Sequence, residues 1–298
     1  MDALKQDLVC EFHVDDRLYD LQFLHDWDVF AMAQTKYLHI YDSQGTELHC
    51  MRSTLRPRHL EFLPYHYLLV SMSEMGDLRY LDVSTGETVN TKRTGLGRAS
   101  CMIQNPHNAV ILVGSNRGQI SMWSPNQPKP LVTMFCHRGS ILSAAVDLEG
   151  KYLVTSGMDS TVKIWDLRTY EQLYDYTMPV PIHAMALSQT NVLSMGVGAV
   201  VKSYTGVFSQ KISAPYMSES ISGHKLQNMA FRPFEDQLVL GYDNGIQSMV
   251  IPGAGEANLD TFELNPFETK KQRRERNVQK LLDKLKPEQI VLEPDHLY

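Results

Sequence analysis

Three side chains near the middle of the chain are of the types used in nucleophilic hydrolysis: His137, Ser156 and Asp159. A serine hydroxyl becomes a nucleophile when a histidine takes its proton and a carboxylate orients that histidine. Ser156 lies in Thr155-Ser156-Gly157 and lacks the G-x-S-x-G elbow that exposes such a serine. The sequence also offers no recognisable carboxylate pair, metal cluster or activated nucleophile. We therefore expect a protein that is not an enzyme.

The cysteines and one glycine-rich segment also indicate a structural role and not a catalytic or cofactor-binding one. Cys10, Cys50, Cys101 and Cys136 form no C-x-x-C pair, so we expect free thiols, no metal and a reducing compartment. Gly95–Ser100 lacks the third glycine of a dinucleotide fingerprint, so we predict a loop that leaves Arg98 free to meet a phosphate or an acidic partner. No apolar run approaches a membrane span of about 20 residues, and no signal peptide is recognisable. We expect a soluble intracellular protein with no cofactor and no small-molecule substrate.

A repeat explains most of the chain. Strand-like apolar segments recur six times, and the fourth copy ends in Thr161–Asp166, with the sequence TVKIWD. Aligned on Trp165, the copies are spaced by 40, 42, 42, 39 and 45 residues, at these positions: Tyr41, Leu81, Trp123, Trp165, Tyr204 and Met249. A WD-type propeller blade needs about 40 to 45 residues. The spacing predicts an all-β WD-repeat β-propeller.

The fourth copy shows how one blade is built. Alternating apolar and polar residues, separated by turn formers, predict four antiparallel strands. Their expected bounds are Ser140–Val146, Tyr152–Ser156, Thr161–Asp166 and Gln172–Thr177. The same copy carries a polar set that resembles the structural tetrad of WD repeats, which links a Trp, a Ser or Thr, an Asp and a His by hydrogen bonds. The resemblance implies a tetrad of His137, Ser156, Asp159 and Trp165.

The ends of the repeat leave the number of blades open. Leu8–His13 has the pattern of an outer strand without the inner strands that should precede it. It either closes a six-bladed ring or belongs to a seventh blade that is incomplete. Because Leu259–Glu263 can supply the outer strand of the sixth copy, we favour the seven-bladed type, with apolar faces exposed at the gap.

A basic tail follows the repeat. We expect a propeller over residues 1–264 and a helical C-terminal tail over 265–298. Glu268 to Lys286 contains eight Lys or Arg against three Asp or Glu, a balance of +5 that leaves -11 for the rest of a chain of net charge -6. A solvated helix is one explanation, and binding of RNA phosphates or of a partner is the other. The candidate basic residues are Lys270, Lys271, Arg273, Arg274 and Arg276.

The tail also carries an apolar stripe. Val278, Leu281, Leu282 and Leu285 share one face of a helix, and Pro287 is expected to stop that helix. The three leucines are candidates for docking into the groove of a partner.

Several segments resemble one nucleolar family. They are Lys36–Asp42, Gly45–His49, Thr94–Arg98, Asn105–Ala109, Trp123–Asn126, Asn265–Glu275 and Leu281–Glu288. Together they are similar to U3 small nucleolar RNA-associated protein 7, also called WD repeat-containing protein 46, a component of the small-subunit processome. The similarity runs from Cys10 onward.

The resemblance implies a non-catalytic scaffold in nucleolar 18S pre-rRNA processing and small ribosomal subunit assembly. Its implied partners are processome proteins, pre-rRNA and U3 small nucleolar RNA within a large ribonucleoprotein. Family members carry a long basic extension before the propeller. A different class, a substrate receptor of a cullin-type ubiquitin ligase, is suggested by Trp165-Asp166-Leu167-Arg168, which matches the W-D-x-R motif of adaptor-binding propellers.

Overall fold

The fold is an all-β WD-repeat propeller with six blades. A computed structural model describes residues 10–26, 28–212, 214–221, 226–256 and 268–292. Each blade is an antiparallel sheet whose strands pair in chain order. Short turns suffice for this topology because antiparallel neighbours need no crossover.

The first three sheets have four strands each. The first contains β1 Leu18–Phe23, β2 Val29–Gln34, β3 Tyr37–Asp42 and β4 Glu47–Leu55. The second contains β5 Pro57–Leu63, β6 Leu68–Ser73, β7 Asp77–Asp82 and β8 Thr88–Arg93. The third contains β9 Ala99–Gln104, β10 Ile111–Ser115, β11 Gln119–Trp123 and β12 Val132–Phe135.

The remaining three sheets are followed by one helix. The fourth contains β13 Ile141–Val146, β14 Tyr152–Gly157, β15 Thr161–Asp166 and β16 Glu171–Thr177. The fifth contains β17 Met185–Leu187, β18 Leu193–Val197, β19 Val200–Tyr204 and β20 Met217–Ser220. The sixth contains β21 Leu226–Phe231, β22 Gln237–Tyr242 and β23 Gly245–Val250. Helix α1 spans Lys270–Leu282, and a single 3₁₀ turn follows at Pro287–Gln289.

The positions that define the sequence repeat are equivalent in the structure. All six lie at or next to the end of the third strand of their sheet. Each is paired with an apolar residue near the start of the second strand, as Leu81 is with Leu69 and Trp165 is with Leu153. All six side chains are buried. The strands expected in the fourth copy also occur, with bounds that differ from the prediction by at most one residue.

The core lies between successive sheets. The innermost strands contact one another in order, β1 with β5, β5 with β9, β9 with β13, β13 with β17 and β17 with β21. Within the described ranges, no comparably extensive contact joins β21 to β1. Phe23 on β1 and Ile246 and Val250 on β23 are exposed. No helix in the described part of the chain is long and apolar enough to cross a membrane.

The described residues form six sheets, and they include no strand of the seventh, incomplete blade that the sequence favoured. Residues 10–13, expected to belong to an outer strand, are not in a strand. Instead the Phe12 ring packs on the first sheet, with its centroid 6.2 Å from that of Phe30 and 5.6 Å from that of Tyr41. Burial of this ring on a sheet face satisfies the apolar pattern without strand pairing. Leu259–Glu263, the expected outer strand of the sixth sheet, lies outside the described residues.

Gly118 is required where one blade meets the next. Its φ is +77°, and an added Cβ would lie 1.8 Å from the carbonyl oxygen of His137. That oxygen belongs to the connection between β12 and β13, whose backbone amides at Cys136 and His137 donate to the Gly118 carbonyl at 2.9 and 3.1 Å. A side chain here would therefore displace the connection between two blades.

Gly118→Ala is expected to lower the free energy of unfolding by about 2 to 5 kcal/mol, from left-handed backbone strain plus overpacking. Gly86→Ala is the matched control, because Gly86 has a φ of +76° and open space around its Cβ position. It should cost only about 1 to 2 kcal/mol, the backbone contribution alone. Urea denaturation of both variants measures the difference, and equal losses would contradict the steric argument.

Candidate interaction surfaces

A hydrogen-bonded chain of side chains crosses the fourth blade. The Trp165 Nε1–H donates to the Thr155 hydroxyl at 3.1 Å, and this hydroxyl lies 2.8 Å from His137 Nε2. His137 Nδ1 is 3.1 Å from Asp159 Oδ1, which also accepts from the Thr161 hydroxyl at 2.8 Å. With the proton on Nδ1, every donor in this chain has an acceptor, as a buried polar network requires.

Of the four residues predicted for the tetrad, His137, Asp159 and Trp165 are linked in this chain, but the hydroxyl that joins them belongs to Thr155 and not to Ser156. Side chains alternate along β14, so Thr155 shares the face of Trp165, whereas Ser156 points to the other face. Its hydroxyl donates to the backbone carbonyl of Ile182, in the next blade, at 2.7 Å. Ser156 therefore cannot take part in a triad with His137 and Asp159.

The electrostatics of this chain also suit a structural role. Burial lowers the pKa of His137, although Asp159 opposes that shift. Burial would raise the pKa of Asp159, but the hydrogen bond from Thr161 and the neighbouring His137 bring it below its usual value. A neutral imidazole beside a carboxylate is stable here without a substrate.

The two buried thiols are poor nucleophiles. Cys10, Cys50, Cys101 and Cys136 are free, and burial raises the pKa of both Cys101 and Cys136 to about 12. The thiolate is the reactive form, so these two buried cysteines are unreactive near neutral pH.

One group of possible metal ligands was not recognised from the sequence. Cross-strand pairing of β3 and β4 brings together His39, Glu47 and Cys50. His39 Nδ1 is 3.6 Å from the Glu47 carboxylate, while Nε2 is 3.9 Å from the Cys50 sulfur. One ligand atom from each of the three residues lies within 4.8 Å of the other two, so this group could hold a metal ion.

Two partly buried carboxyl groups lie near each other on the innermost strands β1 and β5. Asp20 accepts backbone hydrogen bonds from Leu21 and Leu60 at 2.9 and 2.8 Å, but burial raises its pKa. Burial, with the nearby Asp20 as a second cause, raises the pKa of Glu61 to about 8. Glu61 is therefore mostly protonated at neutral pH.

The basic tail docks on the propeller. Its helix begins with a capping box in which Thr269 and Gln272 bond each other's backbone amides. Arg273 then lies 3.5 Å from the Asp28 carboxylate and 3.9 Å from that of Asp26, in the turn between β1 and β2. Lys284 pairs with Asp82, at the end of β7. We call this side of the propeller the tail face.

Beyond the helix, a short apolar segment anchors the tail. Ile290 is fully buried in the core cluster that includes Trp123. The Ile290 carbonyl accepts from the Ser124 hydroxyl at 2.6 Å, and the Leu292 carbonyl accepts from the Asn108 amide at 3.1 Å. This anchor was missed in the sequence, where Ile290-Val291-Leu292 after Pro287 was the available signal. The expected boundary between 264 and 265 lies outside the described residues.

The tail residues singled out from the sequence fall into two sets. Arg273 and Arg276 are mostly buried, the latter paired with Glu268, whereas Lys270, Lys271 and Arg274 are exposed. The expected apolar stripe faces outward for most of its length, since Leu281 is 47% and Leu282 75% exposed. Leu285 is half-buried, and its amide donates to the Tyr65 carbonyl at 3.0 Å. The helix thus docks through charged side chains and leaves its apolar side free.

Two further residues singled out from the sequence, Arg98 and Arg168, lie outside the tail. Arg98 follows the loop between β8 and β9 and lines a cavity on the side of the propeller opposite the tail face. Arg168 bonds both carboxylate oxygens of Asp166, at 3.0 and 2.7 Å. The ubiquitin-ligase alternative depends on the Arg168 guanidinium, which is engaged in this ion pair within the chain.

Comparison with known proteins agrees with the sequence resemblance. The chain is 42% identical to U3 small nucleolar RNA-associated protein 7 of Saccharomyces cerevisiae, over 100% of this chain and 56% of that protein. It is 44% identical to WD repeat-containing protein 46 of Homo sapiens, over 99% of this chain and 49% of that protein. The resemblance to these proteins is confirmed along the whole chain. The chain spans about half the length of these curated relatives.

Two family models and a solved structure match parts of the chain. Residues 215–293 match the BING4CT (NUC141) domain, which joins the last blade and the docked tail in one unit. Residues 95–215 match a model described as the Vps42 beta-propeller. A chain in the crystal structure of the Mitotic Checkpoint Complex superposes with a TM-score of 0.66 at 19% identity, covering 79% of this chain and 76% of that one. At this identity the match supports the fold alone.

Thr155→Val should destabilise the fourth blade more than Ser156→Ala does. The first change leaves the buried Trp165 Nε1 and His137 Nε2 without their shared partner, at about 1 to 3 kcal/mol for each group. The second removes a hydroxyl that donates only to backbone carbonyls. Thermal and urea unfolding of both variants tests the corrected tetrad, and the reverse order of stability would restore Ser156 to it.

Glu61→Gln should stabilise the protein at alkaline pH and not at pH 5. The folded-state pKa of about 8 exceeds the ordinary 4.5, so the folded protein holds a proton that the unfolded chain has lost in this window. The contribution of Glu61 to stability therefore falls as pH rises from about 4.5 to 8. Urea unfolding at pH 5 and 8.5 measures the gain, with Glu87→Gln on an exposed turn as control. A gain that is independent of pH would contradict the assignment.

Proposed function

We propose that this protein is a non-catalytic scaffold in nucleolar 18S pre-rRNA processing and small ribosomal subunit assembly. It holds processome proteins, pre-rRNA and U3 small nucleolar RNA within a large ribonucleoprotein. The observation that carries the proposal is the similarity of 42–44% to U3 small nucleolar RNA-associated protein 7 and WD repeat-containing protein 46, together with the match of the last blade and tail to the BING4CT domain.

The chemistry of the described residues supports a binding role. The polar chain of the fourth blade is satisfied internally, and the buried thiols are protonated. A propeller of this kind offers two rigid faces made of turns, which suits simultaneous contact with several macromolecules.

The tail face presents two chemically different surfaces side by side. Lys270, Lys271 and Arg274 form an exposed basic end at the start of α1. We assign to this basic end sequence-independent contacts with RNA phosphates. Val278, Leu281 and Leu282 form the exposed apolar ridge of the same helix, which we assign to the groove of a processome protein.

Docking of α1 makes this division possible. Arg273 and Asn277 hold the helix to Asp26, and Lys284 holds the segment after it to Asp82. Because the polar side of the helix is fixed to the propeller, the apolar ridge is presented to solvent in one orientation. A preorganised ridge binds without the cost of ordering a free tail.

The cellular role is tested by sedimentation. Tagged protein from cell extract should travel with large pre-ribosomal particles that contain U3 RNA, and the fluorescent protein should accumulate in nucleoli. Replacement of Leu281 and Leu282 by Ser should move it toward free protein. Migration as a free monomer, or only with a ubiquitin-ligase adaptor, would refute the proposal.

The basic end is tested by the salt dependence of RNA binding. Ala at Lys270, Lys271 and Arg274 should reduce the slope of log affinity against log salt by about 2, at about 0.7 for each lost phosphate contact with a single strand. Ala at Arg52, Arg93 and Lys129 is the matched control, since these cations are exposed on the propeller. Fluorescence anisotropy measures both slopes. If the two triple variants behave alike, the tail does not contact RNA.

A further inference from the structure

A second basic surface lies on the side opposite the tail face. A cavity of about 390 Å³ opens where the first three sheets begin, at the starts of β1, β5 and β9. Its polar lining consists of Tyr19, Arg58, His59, Arg98, Ser100 and Asn116. No carboxylate is among the lining residues, although the chain as a whole is acidic.

Arg58 is fixed at the wall of this cavity. Its guanidinium stacks 3.7 Å from the centroid of the Tyr19 ring, and one terminal nitrogen bonds Glu74 at 2.8 Å. Its Nε is buried and has no hydrogen-bond partner. The side chain is therefore rigid but retains donor capacity that the described residues do not satisfy.

Arg98 is brought to the same cavity by a tightly packed loop. The amide and hydroxyl of Thr94 both donate to the Gly76 carbonyl, at 3.0 and 2.8 Å. Gly76 has a φ of +89°, and a Cβ there would lie 2.7 Å from the Gly97 oxygen, so only glycine permits this approach. Arg98 itself is exposed and makes no hydrogen bond or ion pair with any described residue.

The positive charges around this cavity affect the pKa of His59, which lines it. Burial lowers the pKa of His59, and the positive charges of Arg98 and Arg58 lower it further. A hydrogen bond to the Ala99 backbone opposes the shift. The Arg17 guanidinium lies 5.4 Å from the centroid of the Tyr19 ring.

We propose that this cavity binds a phosphate group of a single-stranded RNA backbone. Arg98 supplies a free planar fork that fits phosphate oxygens, Arg58 supplies a fixed guanidinium that is paired with Glu74, and Ser100 and Asn116 supply neutral polar groups at the rim. The choice of RNA as the source of the phosphate rests on the function proposed above.

The lining favours a phosphate over an acidic peptide. Peptide docking generally depends on an apolar or aromatic anchor that fills a pocket. Here the Tyr19 ring is already covered by Arg58, and the other lining groups are polar or small. With the Tyr19 ring covered, the site should hold the backbone of any sequence.

The test uses the full chain and a short fluorescent oligouridylate in anisotropy titrations over a series of salt concentrations. Arg98→Ala should weaken binding about tenfold, the loss of one charge-assisted contact, and reduce the salt slope by about 0.7. Arg98→Lys should keep the slope and recover only part of the affinity, because it restores the charge without the fork. Arg93→Ala, which removes a cation that is 92% exposed and outside the cavity, should match the unmodified protein.

Equal affinities and slopes for Arg98→Ala and Arg93→Ala would overturn the proposal. So would Arg98-dependent binding of a fluorescent polyglutamate without Arg98-dependent binding of RNA, because that result would make the cavity a site for acidic peptides. Thermal unfolding checks that each variant is folded. Sedimentation of Arg98→Ala with U3-containing particles, combined with unchanged RNA binding in vitro, would reject the phosphate site while leaving the scaffold role intact.

Discussion

Packing of each sheet on the next, through apolar pairs on its second and third strands, is the interaction on which the whole molecule depends. Leu69 with Leu81, Ile111 with Trp123 and Leu153 with Trp165 occupy equivalent cross-strand positions in three blades. All six side chains are at most 7% exposed. Full burial of one such side chain contributes about 1.5 to 3 kcal/mol. Repetition of this pair fixes each blade against its neighbours and so fixes the turns at both ends of every sheet.

Polar bonding within the blades is more variable than the apolar pairing. The fourth blade has the complete chain from Trp165 to Asp159. In the third blade, Trp123 donates instead to the Ser121 hydroxyl at 2.9 Å. In the first blade, the Tyr41 hydroxyl accepts from the Gln34 amide at 3.0 Å. These three blades therefore bond the polar group at the repeat position in different local ways, so loss of the tetrad in other blades does not require loss of the fold.

The sequence predicted the parts of this structure that depend on period and composition. The spacing of Tyr41, Leu81 and Trp123 located the third strands, because a large apolar or aromatic residue recurs wherever the same packing recurs. It did not distinguish Thr155 from Ser156, since either hydroxyl is chemically suitable and only the strand register decides which one faces Trp165. The triplet of His39, Glu47 and Cys50 was hidden for the same reason, because cross-strand pairing leaves no mark in linear spacing.

The sequence did not show which side of the tail helix faces the propeller. That orientation determines which charged residues of the tail remain exposed. An apolar stripe normally predicts the buried side of a helix. Here Asp26, Asp28 and Asp82 on the propeller attract the basic side instead, and Ile290 supplies the buried apolar contact further along. The side of the helix that docks is decided by the positions of the propeller carboxylates. Those positions are set by the assembled turns.

The distribution of charge also limits how RNA is held. With a net charge of -6, these 298 residues by themselves repel a polyanion at long range. The exposed cations at Lys270, Lys271 and Arg274 and the cavity beside Arg98 act only within the screening distance of about 8 Å at physiological salt. On the proposed function, binding of protein partners to the apolar ridge brings RNA within that distance. Weak local phosphate contacts on two opposite faces then add through effective concentration, and they release readily when the particle is remodelled.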